Sequence, residues 1–383
     1  MRRLVALLVL AASFAGPASA ASEPPSFQAR AVIVADGSGG EILLEHNADR
    51  RVAIASITKI MTALVTLENA RPNERVLIRG PAPSIGESTI HLTVGERMRV
   101  RDLLAAALVQ SANDAAYALA THVGNGSVQR FVSMMNERAA ELGLDDTHFV
   151  RPDGLDVTGH YSSARDVLTL TREAMKQPLF RRLVRQGGGR IAGGRSLYAR
   201  NDLLRTGSYP GIIGVKTGHT DAAGWSQVAA ARRGGVTMYA IVLGSPARSR
   251  RNADLAQLLD WGFGHYGRVT LVEFGRVYAT AAIPFSDHRL PLVAPRAARV
   301  VVRLGRPLVE RVVAPSSVDL PVQAGEEVGE VVILDGRRVV ARRPLVAGNA
   351  AVDANVGTKV GWYAGRAVDE AGEMLESVFG AFG

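Results

Sequence analysis

The sequence predicts an α+β domain, then a small all-β domain and a terminal amphipathic helix. Three observations carry that prediction. Between residues 21 and 266, strand-like runs lie at both ends and helical periodicities fill the middle, the order expected of a sheet that closes late in the chain. From 267 to 346, short β-branched runs alternate with Pro and Gly. From 362 to 383, after a linker at 347–361, apolar residues recur at helical spacing.

Arg2 and Arg3 precede an apolar run over residues 4–14, and Ala18-Ser19-Ala20 follows Gly16 and Pro17. This is the layout of a cleavable signal peptide ending at Ala20, too short to span a membrane. The mature chain is therefore expected outside the cytoplasm, in the periplasm on the outer face of the cytoplasmic membrane. Residues 31–34 and 41–44 flank Asp36-Gly37-Ser38-Gly39-Gly40, which predicts a hairpin. Over 56–70 the positions Ile60, Met61, Ala63, Leu64 and Leu67 keep helical spacing, with Ser56 at the helix start, and Asn69, Arg71 and Pro72 end it. Further helices are expected over 100–109, 113–123, 128–142 and 163–175. The glycines between 187 and 194 read as a hairpin tip rather than a phosphate cradle. Strands follow at 212–217, 225–231 and 237–243, then a helix over 252–263.

In the last segment Ala364, Ala367, Val368, Ala371, Met374, Leu375, Val378, Phe379 and Phe382 form one apolar face, with Trp362 and Tyr363 at its start. That pattern suits a helix lying on a membrane surface and predicts peripheral membrane contact. Asp369, Glu370, Glu373 and Glu376 on the polar face weigh against it, because anionic lipid repels them.

The chain has no cysteine, which excludes thiol proteases, Cys-ligated zinc and stabilisation by disulfides. A formal charge of +9 suits work near anionic envelope polymers, or simply solubility. Scattered basic residues and an export signal argue against nucleic acid. Of 45 basic residues only Lys59, Lys176, Lys216 and Lys359 are lysines. A lysine kept in an arginine-rich chain marks a place where the amine must be able to lose its charge, which a guanidinium cannot do.

Ser56-Ile57-Thr58-Lys59 places a hydroxyl and an amine one helical turn apart. A serine is a poor nucleophile until a base takes its proton, and a lysine can be that base only when neutral. Ser111-Ala112-Asn113 sits in a polar break between helices. Lys216-Thr217-Gly218 ends an apolar strand and lacks the glycine spacing of a nucleotide-binding loop. Each motif alone is weak. Together and in this order they are the S-x-x-K, S-x-N and K-T-G set of penicillin-recognising serine enzymes.

The likeness continues through Pro152-Asp153-Gly154-Leu155, Gly159-His160-Tyr161-Ser162-Ser163-Ala164-Arg165-Asp166, Arg200-Asn201 and Lys216-Thr217-Gly218-His219-Thr220. Over residues 31–263 the chain resembles the serine D-Ala-D-Ala carboxypeptidases, the low-molecular-mass penicillin-binding proteins of the penicillin-binding protein 5 type. The β-rich tail and terminal helix are similar to the same family.

The resemblance implies a β-lactamase/transpeptidase-like domain, an antiparallel sheet flanked by helices. It implies that Ser56 attacks the carbonyl between two terminal D-alanines with Lys59 as general base. Ser111 and Lys216 would pass a proton to the departing D-alanine. Asn113 would hold the acyl amide, and the backbone N–H groups of Ser56 and His219 would form the oxyanion hole. The implied substrate-binding set is Asn113, Lys216, Thr217, Gly218, His219 and an arginine for the terminal carboxylate, for which Arg251 is first choice over Arg248 and Arg250. The partners implied are a peptidoglycan stem peptide ending in D-Ala-D-Ala and β-lactam antibiotics as covalent inhibitors. His148, His160 and His219 have no metal-ligand spacing, so neither a metal nor a cofactor is expected. Three rivals stand beside this reading: a class A β-lactamase, for which no glutamate motif is seen; a D,D-endopeptidase; and a non-catalytic peptidoglycan-binding scaffold.

Overall fold

The computed structural model describes residues 7–14, 23–37 and 40–379. They fall into two units, Ala21–Gly264 and a second made of His265 onward with the residues before Ala21. Strand β1, Leu7–Phe14, belongs to the second. The first opens with β2 (Ala31–Asp36) and β3 (Ile42–His46), the expected hairpin, although Ser38 and Gly39 of its turn lie outside the described residues. A 3-10 turn over Ala55–Thr58 leads into α1 (Lys59–Asn69). Arg75–Leu77 (β4) and Arg97–Arg99 (β5) pair with each other. Then come α2 (Val100–Ala105), a π-helical turn over Ala106–Gln110, α3 (Asn113–Val123), α4 (Val128–Glu141), α5 (Ala164–Ala174) and α6 (Pro178–Val184). The glycine-rich stretch is the hairpin β6 (Gly188–Arg190) and β7 (Ser196–Tyr198). Last are α7 (Asp202–Arg205), β8 (Ile212–Thr220), β9 (Gly224–Arg233), β10 (Val236–Ser245) and α8 (Arg248–Gly264).

The main sheet is antiparallel in the order β3-β2-β10-β9-β8. The early strand β2 is sealed by the late strand β10, Ile33 opposite Ile241, so the sheet does close late in the chain. Both strands are buried almost throughout, which their unbroken apolar runs require. Helix α1 is buried from Lys59 to Thr66 and runs through the core as its central helix. Side-chain caps fix where neighbouring helices begin: Ser127 Oγ accepts from Arg130 N at the start of α4, and Ser163 Oγ from Asp166 N at the start of α5.

The second unit has its own core, centred on Leu290, Leu292, Val331, Ile333 and Leu345. Its strands are β11 (Tyr266–Val272), β12 (Val277–Ala282), β13 (Arg289–Val293), β14 (Ala298–Arg303), β15 (Leu308–Pro315), β16 (Glu327–Asp335) and β17 (Arg338–Ala347). Six strands form the sheet β1-β15-β16-β17-β13-β12, while β11 pairs with β14. The apolar run read as part of a leader is here an edge strand, antiparallel to β15 from Leu7 opposite Pro315 to Phe14 opposite Leu308. Arg2, Arg3 and the Ala18-Ser19-Ala20 site lie outside the described residues.

One boundary differs from expectation. Helix α9 spans Val356–Phe379, so residues 356–361, assigned to the linker, are already helical. Asn355 Oδ1 accepts from Thr358 N at 2.9 Å and starts the helix, while Gly357 and Gly361 hide that start from a periodicity count. Trp362 and Tyr363 pack edge-on against Phe285 at 5.7 and 5.8 Å. The side chains of Asp369, Glu370, Glu373 and Glu376, like those of the apolar positions from Ala371 onward, lie outside the described residues.

Candidate active site

Ser56 lies in the 3-10 turn and Lys59 is the first residue of α1. One turn brings Lys59 Nζ to 2.7 Å from Ser56 Oγ. The amine also donates to Asn113 Oδ1 and to the Asp153 carbonyl, each at 2.7 Å. Three acceptors for one nitrogen satisfy a buried ammonium. When the amine is neutral, its two remaining hydrogens stay with Asn113 and Asp153, and its lone pair faces the Ser56 hydroxyl. Burial drives the change: desolvation pulls Lys59 from its ordinary 10.5 down to about 8, opposed by Asp153, Glu87 and Asp114 and assisted by Arg151.

The nucleophile's turn is held under strain. Ala55 has φ +48°, a region disfavoured for residues with a Cβ. Val150 N donates to His160 Nδ1, so the neutral imidazole carries its hydrogen on Nε2, against Thr58 Oγ1 at 2.8 Å, and Thr58 in turn donates to the Ala55 carbonyl. Burial, which lowers His160 to about 4, keeps that ring neutral. Two glycines close on the same turn. A Cβ on Gly154, whose φ is +87°, would lie 2.0 Å from Ala55 O, and one on Gly218 would lie 2.7 Å from Ile54 O.

Ser111 follows the π-helical turn in a left-handed conformation, φ +71°. Its hydroxyl accepts from Lys216 Nζ at 2.8 Å, and Lys216 also donates to Thr217 O at 2.8 Å. Lys216, on β8, is pushed well below its ordinary value by burial first, then by the positive charges of Lys59, Arg200 and Arg251. Asn113 opens α3, donating from Nδ2 to Gly86 O at 3.0 Å and from its backbone N to Ser88 O at 2.6 Å. Beside it the buried Asp114 accepts from Ile90 N and Leu92 N at 3.1 Å, tying down the loop that carries Glu87 and Ser88.

Above these groups lies a cleft of about 290 Å³ with Ser56, Glu87, Ser88, Ser111, Asn113, Arg200, Thr217, Gly218, His219, Trp225, Arg248 and Arg251 on its walls. His219 and Trp225 face each other across β8 and β9 and stack at 3.8 Å. At the far end Asp202 accepts from Arg248 Nε at 2.6 Å and from Asn252 Nδ2 at 3.1 Å, and lies 3.7 Å from Arg251. Arg251 is only 1% exposed, and burial lowers it to about 10. Arg250 turns away to Asp254 and the Ser26 carbonyl.

All the residues assigned from the sequence thus meet at one cleft except Lys59 and Lys216, which lie directly beneath it. The sequence reading gave no role to Asp202, Glu87, Arg200, Asp114 or the Arg151–Asp153 pair. Each acts through a partner distant in the chain, and only Asp153 and Arg200 fell inside quoted motifs. Of the histidines, His148 and His160 serve the loop around Gly159, with His148 Nδ1 2.7 Å from Gly159 O. Among the described residues no group of three His, Asp or Glu side chains could hold a metal ion.

A family model described as D-alanyl-D-alanine carboxypeptidase matches residues 18–247. The chain is 30% identical over 339 residues to the D-alanyl-D-alanine carboxypeptidase DacF of Bacillus subtilis, covering 84% of this chain and 85% of the relative. It is similar to the crystal structure of penicillin-binding protein 5 from Haemophilus influenzae, with a TM-score of 0.62 at 27% identity over 87% of this chain and 100% of that one. It is also similar to penicillin-binding protein D2 from Listeria monocytogenes in its ampicillin-bound form, with a TM-score of 0.57 at 33% identity over 62% of this chain and 100% of that one. The chain belongs to the D-alanyl-D-alanine carboxypeptidase family.

Proposed function

We propose that this protein is a serine D,D-carboxypeptidase that removes the terminal D-alanine from peptidoglycan stem pentapeptides through an acyl-enzyme on Ser56, and that β-lactams acylate the same serine. The observation that carries this is the Lys59 amine, buried, 2.7 Å from the Ser56 hydroxyl, and left with one free lone pair once Asn113 and Asp153 take its two hydrogens.

Lys59 takes the hydroxyl proton as Ser56 Oγ bonds to the carbonyl carbon between the two D-alanines. The N–H groups of Ser56 and His219 receive the oxyanion, each donor of this kind contributing about 3 kcal/mol to the transition state. The C–N bond then breaks as the proton that Lys59 took passes by way of Lys216 and Ser111 to the departing amine, which leaves Lys59 neutral for the next step. Asn113 keeps a second Nδ2 hydrogen, beyond the one given to Gly86 O, for the acyl amide. The carboxylate of the leaving D-alanine lies toward Thr217 and Arg251. Water, with Lys59 again as base, releases the acyl group and restores Ser56. Likeness to a protein crystallised with ampicillin supports the β-lactam part of this reading.

Residues 1–20 act as a signal peptide, placing the enzyme in the periplasm on the outer face of the cytoplasmic membrane. No helix among the described residues is long and apolar enough to cross a membrane. Attachment is peripheral, through α9, where Val360, Tyr363 and Val368 are each more than 60% exposed.

The test is release of free D-alanine from a peptide ending in D-Ala-D-Ala by residues 21–383 and by the Ser56→Ala variant. Release by the first alone is expected; release by neither would overturn the assignment. A chain ending near Tyr266 that still bound phospholipid vesicles as well as full length would defeat the role of α9.

A further inference from the structure

The only atom of Asp153 that accepts from Lys59 Nζ is its main-chain oxygen, yet the Asp153 side chain is itself fully buried. Its carboxylate accepts from Arg151 Nε at 2.5 Å and from Arg151 Nη2 at 3.0 Å. The guanidinium in turn lies 5.9 Å from the ring centre of Tyr117 on α3, the helix that Asn113 opens. No step of the acyl-transfer chemistry uses either charge. A buried carboxylate beside a lysine favours the ammonium and would disarm a base; a cation forked onto it restores the balance.

We propose that Arg151 and Asp153 are a positioning pair for Lys59: their two-pronged ion pair fixes the Asp153 carbonyl against Nζ and cancels the carboxylate's field, keeping the amine available as a base. This rests on the reading of Lys59 as general base. The charged groups round the amine are Asp153 and Arg151 on the turn after α4, Glu87 on the loop between β4 and β5, Asp114 on α3, and Lys216 on β8. Of these, Asp153, Glu87 and Asp114 raise its affinity for a proton and Arg151 lowers it. The pair thus contributes two opposing effects that can be removed one at a time.

Only four lysines occur in the chain, so in protein labelled at the lysine side chains with carbon-13 and nitrogen-15 the Lys59 resonance is assigned by Lys→Arg substitution and titrated directly. Arg151→Met is expected to move the Lys59 midpoint up by about one pH unit and Asp153→Asn to move it down by about as much. The double variant is expected to return near wild type, and Arg151→Lys, which keeps the charge, to stay there. The acid limb of kcat/KM for D-alanine release should follow each shift. A purely structural ion pair would lower activity without moving the titration, so unmoved midpoints, or shifts of the same sign in both single variants, overturn the inference. If Asp153→Asn fails to fold, judged by circular dichroism and melting temperature, the contrast between Arg151→Met and Arg151→Lys decides it. A Lys59 midpoint that moves as stated while the kinetic limb stays put upholds the pair and overturns the general-base reading instead.

Discussion

The two serine–lysine pairs of the cleft are built in different ways. Ser56 and Lys59 are three residues apart, and one helical turn sets them 2.7 Å from each other. Ser111 and Lys216 are 105 residues apart and meet at 2.8 Å only because the π-helical turn swings Ser111 into a left-handed conformation while β8 is zipped to β9. Their electrostatics differ as well. Both amines are pushed down by burial, but the acids Asp153, Glu87 and Asp114 restrain Lys59, whereas the charges that act on Lys216 are the cations Lys59, Arg200 and Arg251. The first amine is poised to take and release a proton near neutral pH. The second is pushed further toward its neutral form by burial and like charge, the direction that suits a relay rather than a counter-ion.

The first pair should be the less forgiving. Ser56→Ala is expected to reduce D-alanine release by about 10⁴-fold or more, read as kcat/KM on a D-Ala-D-Ala peptide, and to abolish covalent labelling by a fluorescent penicillin. Lys59→Arg should cost about 10³-fold, because a guanidinium cannot give up its charge to act as base. The sign of the pH dependence follows from the same requirement. The base works only when neutral, and Lys59 lies at about 8, so kcat/KM should rise through pH 8 and fall tenfold per unit below it. An acid limb near pH 6, or an active Lys59→Arg variant, would break the comparison at its first term.

The second pair sharpens it. Ser111→Ala should cost about 10²-fold, since acylation keeps Lys59 and loses only the proton relay to the leaving group. Lys216→Arg tests whether that lysine works neutral or charged. A loss similar to that of Ser111→Ala is expected if the two form one relay, with the double variant no worse than either single one. Full activity of Lys216→Arg would make the lysine a fixed positive charge and the likeness between the pairs superficial.

Legibility in the sequence follows the same division between local and long-range construction. Helix α1, the helices over 128–142 and 163–175 and the hairpin at Asp36 were readable because their causes lie within a few residues. So was the α+β class, because strand runs bracket the helices. The π-helical turn was not: residues 100–109 read as one helix, yet the last turn carries an extra residue that an apolar count cannot show, and that residue sets the direction of Ser111. Asp202 carries no signal in the sequence. Only the fold brings Arg248, 46 residues later, onto both its oxygens. The requirement for Gly154 and Gly218 is likewise invisible until Ala55 is seen pressed against the first and Ile54 against the second. The apolar run at Leu7–Phe14 shows the reverse, a local pattern of leader type that also pairs in full register with β15.

The smallest effects separate the three arginines beyond the cleft, which the sequence alone ranks only by counting. Arg251 lines the cleft and is almost wholly buried; Arg248 lines it too, but both its bonding nitrogens are committed to Asp202; Arg250 points to Asp254. Arg251→Leu should therefore lower kcat/KM roughly 10- to 100-fold, because it removes a desolvated charge from the site of the substrate carboxylate. That loss should vanish on a peptide whose terminal carboxylate is amidated, on which wild type and variant become equally slow. Arg248→Leu should cost less, roughly fivefold, by releasing Asp202 to compete for Arg251. Arg250→Ala should stay within about twofold in kcat/KM because its guanidinium points away from the cleft, and should instead lower the melting temperature by leaving the buried Asp254 without its cation. A reversal of the order of Arg251 and Arg248 would move the carboxylate anchor one helical turn toward solvent, and with it the end of the cleft at which the leaving D-alanine is held.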